Sequence, residues 1–167
     1  MEISIIAAIG KNNEIGLNNK LLWHIPEDMS WFKLQTMGKT VILGKNTHLS
    51  IKKPLNGRVN VILTRDETYR PQKGVIVCNG IKNALYEFRH EKEVMVLGGS
   101  DIYRQMLPFA TKLYLTKVNH EFEADSFFPE IDYDEWDEYY YKKGKEDSKY
   151  NYSFHVYSRK SFDSLIR

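Results

Sequence analysis

The sequence predicts an α/β domain: a mostly parallel central sheet with flanking helices, finished by a C-terminal antiparallel pair of strands. Two observations carry this prediction. Up to about residue 110, short apolar β-branched runs alternate with helical segments, which calls for parallel strands joined by crossover connections. From Lys112 onward, strand-like runs follow one another with only loops between them, the pattern of antiparallel neighbours.

The first run, Ile3-Ser4-Ile5-Ile6-Ala7-Ala8-Ile9, is nearly continuous and reads as a central strand covered on both faces. A polar stretch with turn residues follows from Gly10 to Lys20. Pro26-Glu27-Asp28 is a helix-start signal, and the amphipathic segment behind it runs to about Met37, with Trp31, Phe32 and Leu34 as its expected buried side. Strand character returns at residues 40–43, 58–64, 75–78 and 94–97, and then at 112–118, 136–143 and 152–158. Most tyrosines lie beyond Asp132, where packing on half-buried sheet faces explains them better than a base-stacking surface.

At 167 residues the chain suits one domain, 1–167, burying roughly 70% of its unfolded surface. A net charge of +2, with both signs interspersed, gives no reason to expect a nucleic-acid or membrane partner. Cys78 is the only cysteine, so an internal disulfide is excluded and a reducing cytoplasm is the expected setting. The run at 3–9 is too short to span a bilayer, and it follows Glu2 where a signal peptide would carry basic residues. The five histidines are scattered, none at a zinc-like spacing, so no metal site is expected.

Three turns carry chemistry. Gly98-Gly99-Ser100-Asp101 follows the strand at 94–97 and opens a helix reaching about Leu107; backbone amides and glycines there suit a closely approaching diphosphate. A Gly-Gly turn is more often only a turn, and this one lacks the usual G-x-G-x-x-G spacing. Leu43-Gly44-Lys45-Asn46-Thr47 again joins strand to helix, and a third strand ends in Leu63-Thr64-Arg65. Ligands of open α/β sheets bind beyond the carboxyl ends of the strands, so these turns are placed to converge on one extended phosphate-bearing ligand, with Lys45, Thr64 and Arg65 suited to an additional phosphate. Singly, each residue reads as solvated surface.

The remaining signal is an acid in an apolar neighbourhood, Leu22-Trp23-His24-Ile25-Pro26-Glu27-Asp28-Met29-Ser30-Trp31-Phe32-Lys33. Either Glu27 or Asp28 would serve the helix dipole. Asp28, Phe32 and Gln35 share one face and Glu27 points elsewhere. If that face meets the sheet, Asp28 is a buried carboxylate that needs a partner.

In order and spacing these pieces resemble the bacterial single-domain dihydrofolate reductases over nearly the whole chain. The resemblance rests on Ile6-Ala7-Ala8, Ile15-Gly16-Leu17, Trp23, Pro26-Glu27-Asp28, Pro54-Leu55-Asn56-Gly57-Arg58, Gly98-Gly99 and Leu113-Tyr114-Leu115-Thr116. It implies a sheet of about eight strands and NADPH-dependent reduction of 7,8-dihydrofolate to 5,6,7,8-tetrahydrofolate. It further implies that Asp28 binds the 2-amino group and N3 side of the pterin and that Thr116 hydrogen-bonds to it, with Leu22 and Trp23 contributing to the catalytic site. The Ile6 and Leu97 carbonyls would meet the 4-amino group of antifolates. Ala7, Met29, Phe32, Ile51, Lys53, Leu55 and Tyr103 would line the substrate pocket, and Arg58 would hold the α-carboxylate of the substrate's glutamate.

For the cofactor, the resemblance implies Ala8, Ile15, Gly16, Leu17, Asn18 and Asn19 on one side. Thr47 would join the nicotinamide and diphosphate contacts, Lys45, Thr64 and Arg65 would meet the adenosine 2′-phosphate, and Gly44, Asn46, Leu63 and Asn79 would complete the cofactor site. Gly98, Gly99, Ser100, Asp101, Ile102, Tyr103 and Gln105 would meet the nicotinamide and diphosphate, with the Gly98–Gly99 peptide cis. Lys45 and Arg65 imply a preference for NADPH over NADH. Leu22 stands where many relatives have proline, His24 where asparagine is common, and Ala124 where some carry glycine beside Asp125. The family default is a monomer. A pyrimidine reductase of riboflavin synthesis shares the fold and cofactor type but is opposed by Asp28 and Arg58; a non-catalytic nucleotide-binding module is opposed by the complete pterin site.

Overall fold

The computed structural model describes residues 1–161. In chain order its elements are β1 (Glu2–Ile9), β2 (Glu14–Gly16), α1 (Pro26–Thr36), β3 (Thr40–Gly44), α2 (Lys45–Ile51), β4 (Val59–Leu63), β5 (Ile76–Cys78), α3 (Ile81–Glu87), β6 (Glu93–Gly98), α4 (Ser100–Met106), β7 (Lys112–Val118), β8 (Ser126–Phe127), β9 (Trp136–Lys143) and β10 (Tyr152–Arg159). One eight-stranded sheet has the order β5-β4-β3-β6-β1-β7-β10-β9. The strands from β5 to β7 are parallel, while β10 runs antiparallel to both β7 and β9.

Both faces of the central strands are covered, which is why they lack an apolar–polar alternation. Ile3, Ile5, Ala7 and Ile9 join Ile42, Val61, Val94 and Val96 in the core of one face. Ile6, Val41, Leu43, Ile62, Met95 and Leu97 build the other, against which Trp31 and Phe32 of α1 pack. Successive side chains therefore enter opposite cores.

Leu34 is exposed rather than buried, with 71% of its surface accessible. The face of α1 that meets the sheet is the one shared by Asp28, Phe32 and Gln35, and Leu34, six residues beyond Asp28, is turned off it. The stretch from Gly10 to Lys20 is not wholly turn: β2 pairs antiparallel with β8. Buried Glu14 supports this ribbon by accepting hydrogen bonds from the Asn12 and Phe122 amides, the latter at 2.6 Å. The packing expectation for the late tyrosines holds for Tyr152 and Tyr157, whereas Tyr139, Tyr140 and Tyr141 on the edge strand β9 are exposed. Among the described residues no helix is long and apolar enough to cross a membrane.

Candidate active site

The parallel strands end on one side of the sheet, at Ile9, Gly44, Leu63 and Gly98, and the three chemistry-bearing turns gather there. Pro26 opens α1 and puts Asp28 in its first turn, facing β7. The Thr116 hydroxyl donates to Asp28 Oδ1 at 2.6 Å, and Thr116 is only 1% exposed. Burial raises the Asp28 carboxyl above its ordinary value of 3.8, opposed but not cancelled by the Thr116 bond. A carboxylate with one protein partner in an apolar cleft is chemically unfinished; it suits a ligand that donates hydrogen bonds.

Tyr103 of α4 closes the floor. Its hydroxyl lies 2.8 Å from both the Ile6 and Leu97 carbonyl oxygens, the two acceptors that the family resemblance implies for the 4-amino group of antifolates. Burial, with a further contribution from the Asp28 charge, pushes the phenol well above its usual range, so it remains a neutral donor.

On the α1 side, Phe32, Ile51 and Leu55 are partly buried against the core containing Ile6 and Leu97. Met29 is 58% exposed on the outer part of α1, and Lys53 is also exposed. Ala7 turns its side chain to the opposite core, leaving its backbone toward the site. Arg58 is half-buried: Nε donates to the Asn56 carbonyl at 2.9 Å and Nη1 to Thr36 Oγ1 at 3.0 Å. The rest of its guanidinium fork is available to a carboxylate. Trp23 is buried at 8% exposure, its ring 5.0 Å from that of Phe122, in a cluster with Ile25, Val118, Tyr152 and Phe154; Leu22 packs on that cluster's margin.

Beside this pocket a cleft of about 540 Å³ runs along the strand ends. It is lined by Ala8, Ile15, Gly16 and Asn19, by Gly44 through Thr47 with Leu63 and Thr64, and by Gly99 through Tyr103. The Gly98–Gly99 peptide is cis. A Cβ at Gly98 would lie 3.0 Å from the Tyr103 ring, one at Gly99 3.2 Å from Thr47 Oγ1, and one at Gly44 3.2 Å from Ile102. Gly44 and Gly99 leave the wall of the cleft as bare backbone, which fits a diphosphate passing closely, while Gly98 leaves room for the Tyr103 ring.

Several predicted cofactor residues lie beside the cleft rather than on its wall. Leu17 and Asn18 are two of these; Leu17 exchanges backbone hydrogen bonds with Lys20, and Asn18 and Asn19 between them have φ of 52° and 60°. Gly98 lies beneath Tyr103, and Gln105 donates to Asp101. Arg65 is exposed, and Asn79 lines a second depression that meets the cleft at Thr64. The cleft also takes in Lys20, Leu21, Ser50, Asp125 and Ser126, which sequence motifs did not assign to it. Asp125 gives the only local hint: its Oδ2 accepts from the Asn18 amide at 3.0 Å and its own amide donates to the Gly16 carbonyl, also at 3.0 Å.

The family model described as dihydrofolate reductase matches residues 2–159. The chain belongs to the dihydrofolate reductase family. A dihydrofolate reductase of Buchnera aphidicola from Acyrthosiphon pisum is 42% identical over 163 residues, covering 95% of this chain and all of that protein. That of Haemophilus influenzae is 38% identical over 162 residues, covering 96% of this chain and all of its own length. Among solved structures, the Enterococcus faecalis dihydrofolate reductase complexed with NADP(H) and RAB-propyl superposes with a TM-score of 0.88 at 31% identity, over 96% of this chain and 97% of that one. The family membership and the Gly-lined cleft agree on NADPH as the cofactor.

Proposed function

We propose that Asp28, Thr116, Tyr103 and Arg58 divide the work of reducing 7,8-dihydrofolate to 5,6,7,8-tetrahydrofolate, the NADPH-dependent reaction of the family to which the chain belongs. The observation that carries this reading is the half-buried Asp28 carboxylate, held by Thr116 at one end of the glycine-lined cleft. When bound, NADPH supplies the hydride that reduces C6 of the substrate.

Asp28 accepts hydrogen bonds from the 2-amino group and N3 side of the pterin, and Thr116 fixes the carboxylate for that contact. This orients the ring and favours a proton at N5, which reaches it from water because N5 lies on the far side of the ring. Tyr103 holds the Ile6 and Leu97 carbonyls at the spacing of one donor group, and a ligand amine there replaces the phenol as their partner. Arg58 holds the glutamate carboxylate at the mouth of the pocket. Diaminopyrimidine antifolates occupy the same seat, since they offer donors to Asp28 and to both carbonyls. The wall from Gly99 to Ile102 and the Lys45–Thr64 corner receive the diphosphate and the adenosine end of the cofactor.

The test follows NADPH oxidation with dihydrofolate and, separately, with the pyrimidine precursor of riboflavin. Turnover of dihydrofolate alone supports the assignment. Turnover of the pyrimidine alone, or neither, overturns it.

A further inference from the structure

Lys45, placed by the end of β3 to face a phosphate, already has an anion. Its Nζ lies 2.7 Å from Asp66 Oδ2 and 5.1 Å from the centroid of the Tyr69 ring. An exposed ion pair is ordinarily of small consequence, but Asp66 is built into its position. Its amide donates to Thr64 Oγ1 at 3.1 Å, its Oδ1 accepts from the Thr68 amide at 3.0 Å and the Thr68 hydroxyl at 2.6 Å, and its carbonyl accepts from the Tyr69 amide at 3.1 Å. This is a side-chain-stabilised turn that aims the free carboxylate oxygen at Lys45. Hydrogen bonds from Lys45 and Thr68 hold the carboxyl down to about 2, so it is charged throughout the working range. Asp66 also lines the second depression, which joins the main cleft at Thr64, so the pair stands at the junction.

We propose that Asp66 sets cofactor specificity: its carboxylate competes with the 2′-phosphate of NADPH for Lys45 and accepts a hydrogen bond from the 2′-hydroxyl of NADH. This rests on reading the Lys45–Thr64 corner as the seat of the 2′-phosphate. Dinucleotide sites elsewhere separate the two chemistries, an acid meeting the ribose hydroxyl and a cation meeting the phosphate. Here both stand on one seat. An arriving phosphate must displace the carboxylate or lie against it, and like charges at that range repel even in water. The chain thus accepts NADH as well as NADPH, and its preference for NADPH is smaller than Lys45 alone would impose.

Binding of adenosine 2′,5′-bisphosphate and adenosine 5′-monophosphate, measured by calorimetry, reads this seat without catalysis. Fluorescence titration of NADPH and NADH reads it in the whole cofactor. Asp66→Asn is expected to tighten the bisphosphate and NADPH by about five- to tenfold and to weaken the monophosphate and NADH by about two- to threefold. Asp66→Ser, which keeps a short acceptor for the turn, should move both in the same directions, and Asp66→Glu, which keeps the charge, should stay near the parent protein. Bisphosphate affinity that is unchanged or weakened in both neutral variants overturns the proposal, a weakening meaning that Asp66 only holds Lys45 in place. Lys45→Met separates the proposal from its premise. A reduced bisphosphate preference in that variant supports the seat, Arg65 accounting for what remains, whereas a preference equal to that of the parent protein overturns the seat and the proposal with it.

Discussion

At Asp28 the fold takes a charge into an apolar cleft and supplies a single hydroxyl in return. Asp28→Asn keeps the size and one acceptor oxygen for Thr116 but removes the charge proposed to pair with the pterin. Turnover at neutral pH is expected to fall by about 10²–10⁴-fold. Part of it should return as pH falls, because more dihydrofolate then arrives already protonated at N5, and direct NADPH titration should be nearly unchanged. Wild-type turnover across neutral pH would refute the role. Arg58 is tested by ligand choice. Arg58→Ala should weaken dihydrofolate and methotrexate by about ten- to a hundredfold, the worth of a charge-assisted contact, while sparing a diaminopyrimidine that lacks the glutamate. Equal losses in all three would mean that its bond to Thr36 matters more than its open fork.

The elements differ in how far they could be read in advance, and the reason is physical. Strands β1, β3, β4 and β6 are legible because burial on both faces leaves continuous apolar runs, and the turns at their carboxyl ends are legible because glycine and Lys45 stand at fixed offsets from them. The β2–β8 ribbon is not legible: Glu14 pairs opposite Phe127, and two or three residues per strand set up no period. Leu34 misleads because a helix with apolar residues off its docking face, here Met29 and Leu34, looks wider than it is. Ile15-Gly16 could be assigned to the cofactor from sequence, but Asp125 and Ser126 join the wall only through that ribbon. Asp125→Ala removes the acceptor of the Asn18 amide and is expected to raise the dissociation constant for NADPH by about three- to tenfold. Amide exchange in residues 16–20 should accelerate while the strands of the main sheet keep their protection; unchanged exchange there would show that the ribbon holds the loop without this bond.

Across the whole molecule, two half-buried carboxyl groups sit at opposite ends of the parallel sheet and are tuned in opposite directions. Asp28, at the carboxyl ends, is raised by burial; Glu93, which opens β6 at the other end, is lowered. Burial alone would raise Glu93 too, but Ser4 donates to it at 2.6 Å and Lys39 pairs with it at 2.7 Å, tying β6 to β1 and to the entry of β3, and these contacts win. A lowered carboxyl binds fewer protons folded than unfolded, so the stability from Glu93 is complete above its unfolded value near 4.5 and is lost as pH falls through its folded value. For Asp28 the sign reverses: the folded protein holds its proton more tightly, so stability falls as pH rises from 3.8 through the raised value. Glu93→Gln should therefore destabilise the protein at pH 7 by about 1–3 kcal/mol, flatten the acid side of its stability profile and leave turnover intact. Asp28→Asn should stabilise the ligand-free protein at pH 7, raising Tm by about 2–4 °C for each kcal/mol gained, while abolishing most of its activity. Denaturant unfolding at pH 7 and pH 4 on both variants checks the pair. A neutral-pH loss of stability in Asp28→Asn would mean that the Thr116 bond to the charged carboxylate outweighs its burial, and that the active-site acid supports the fold instead of straining it.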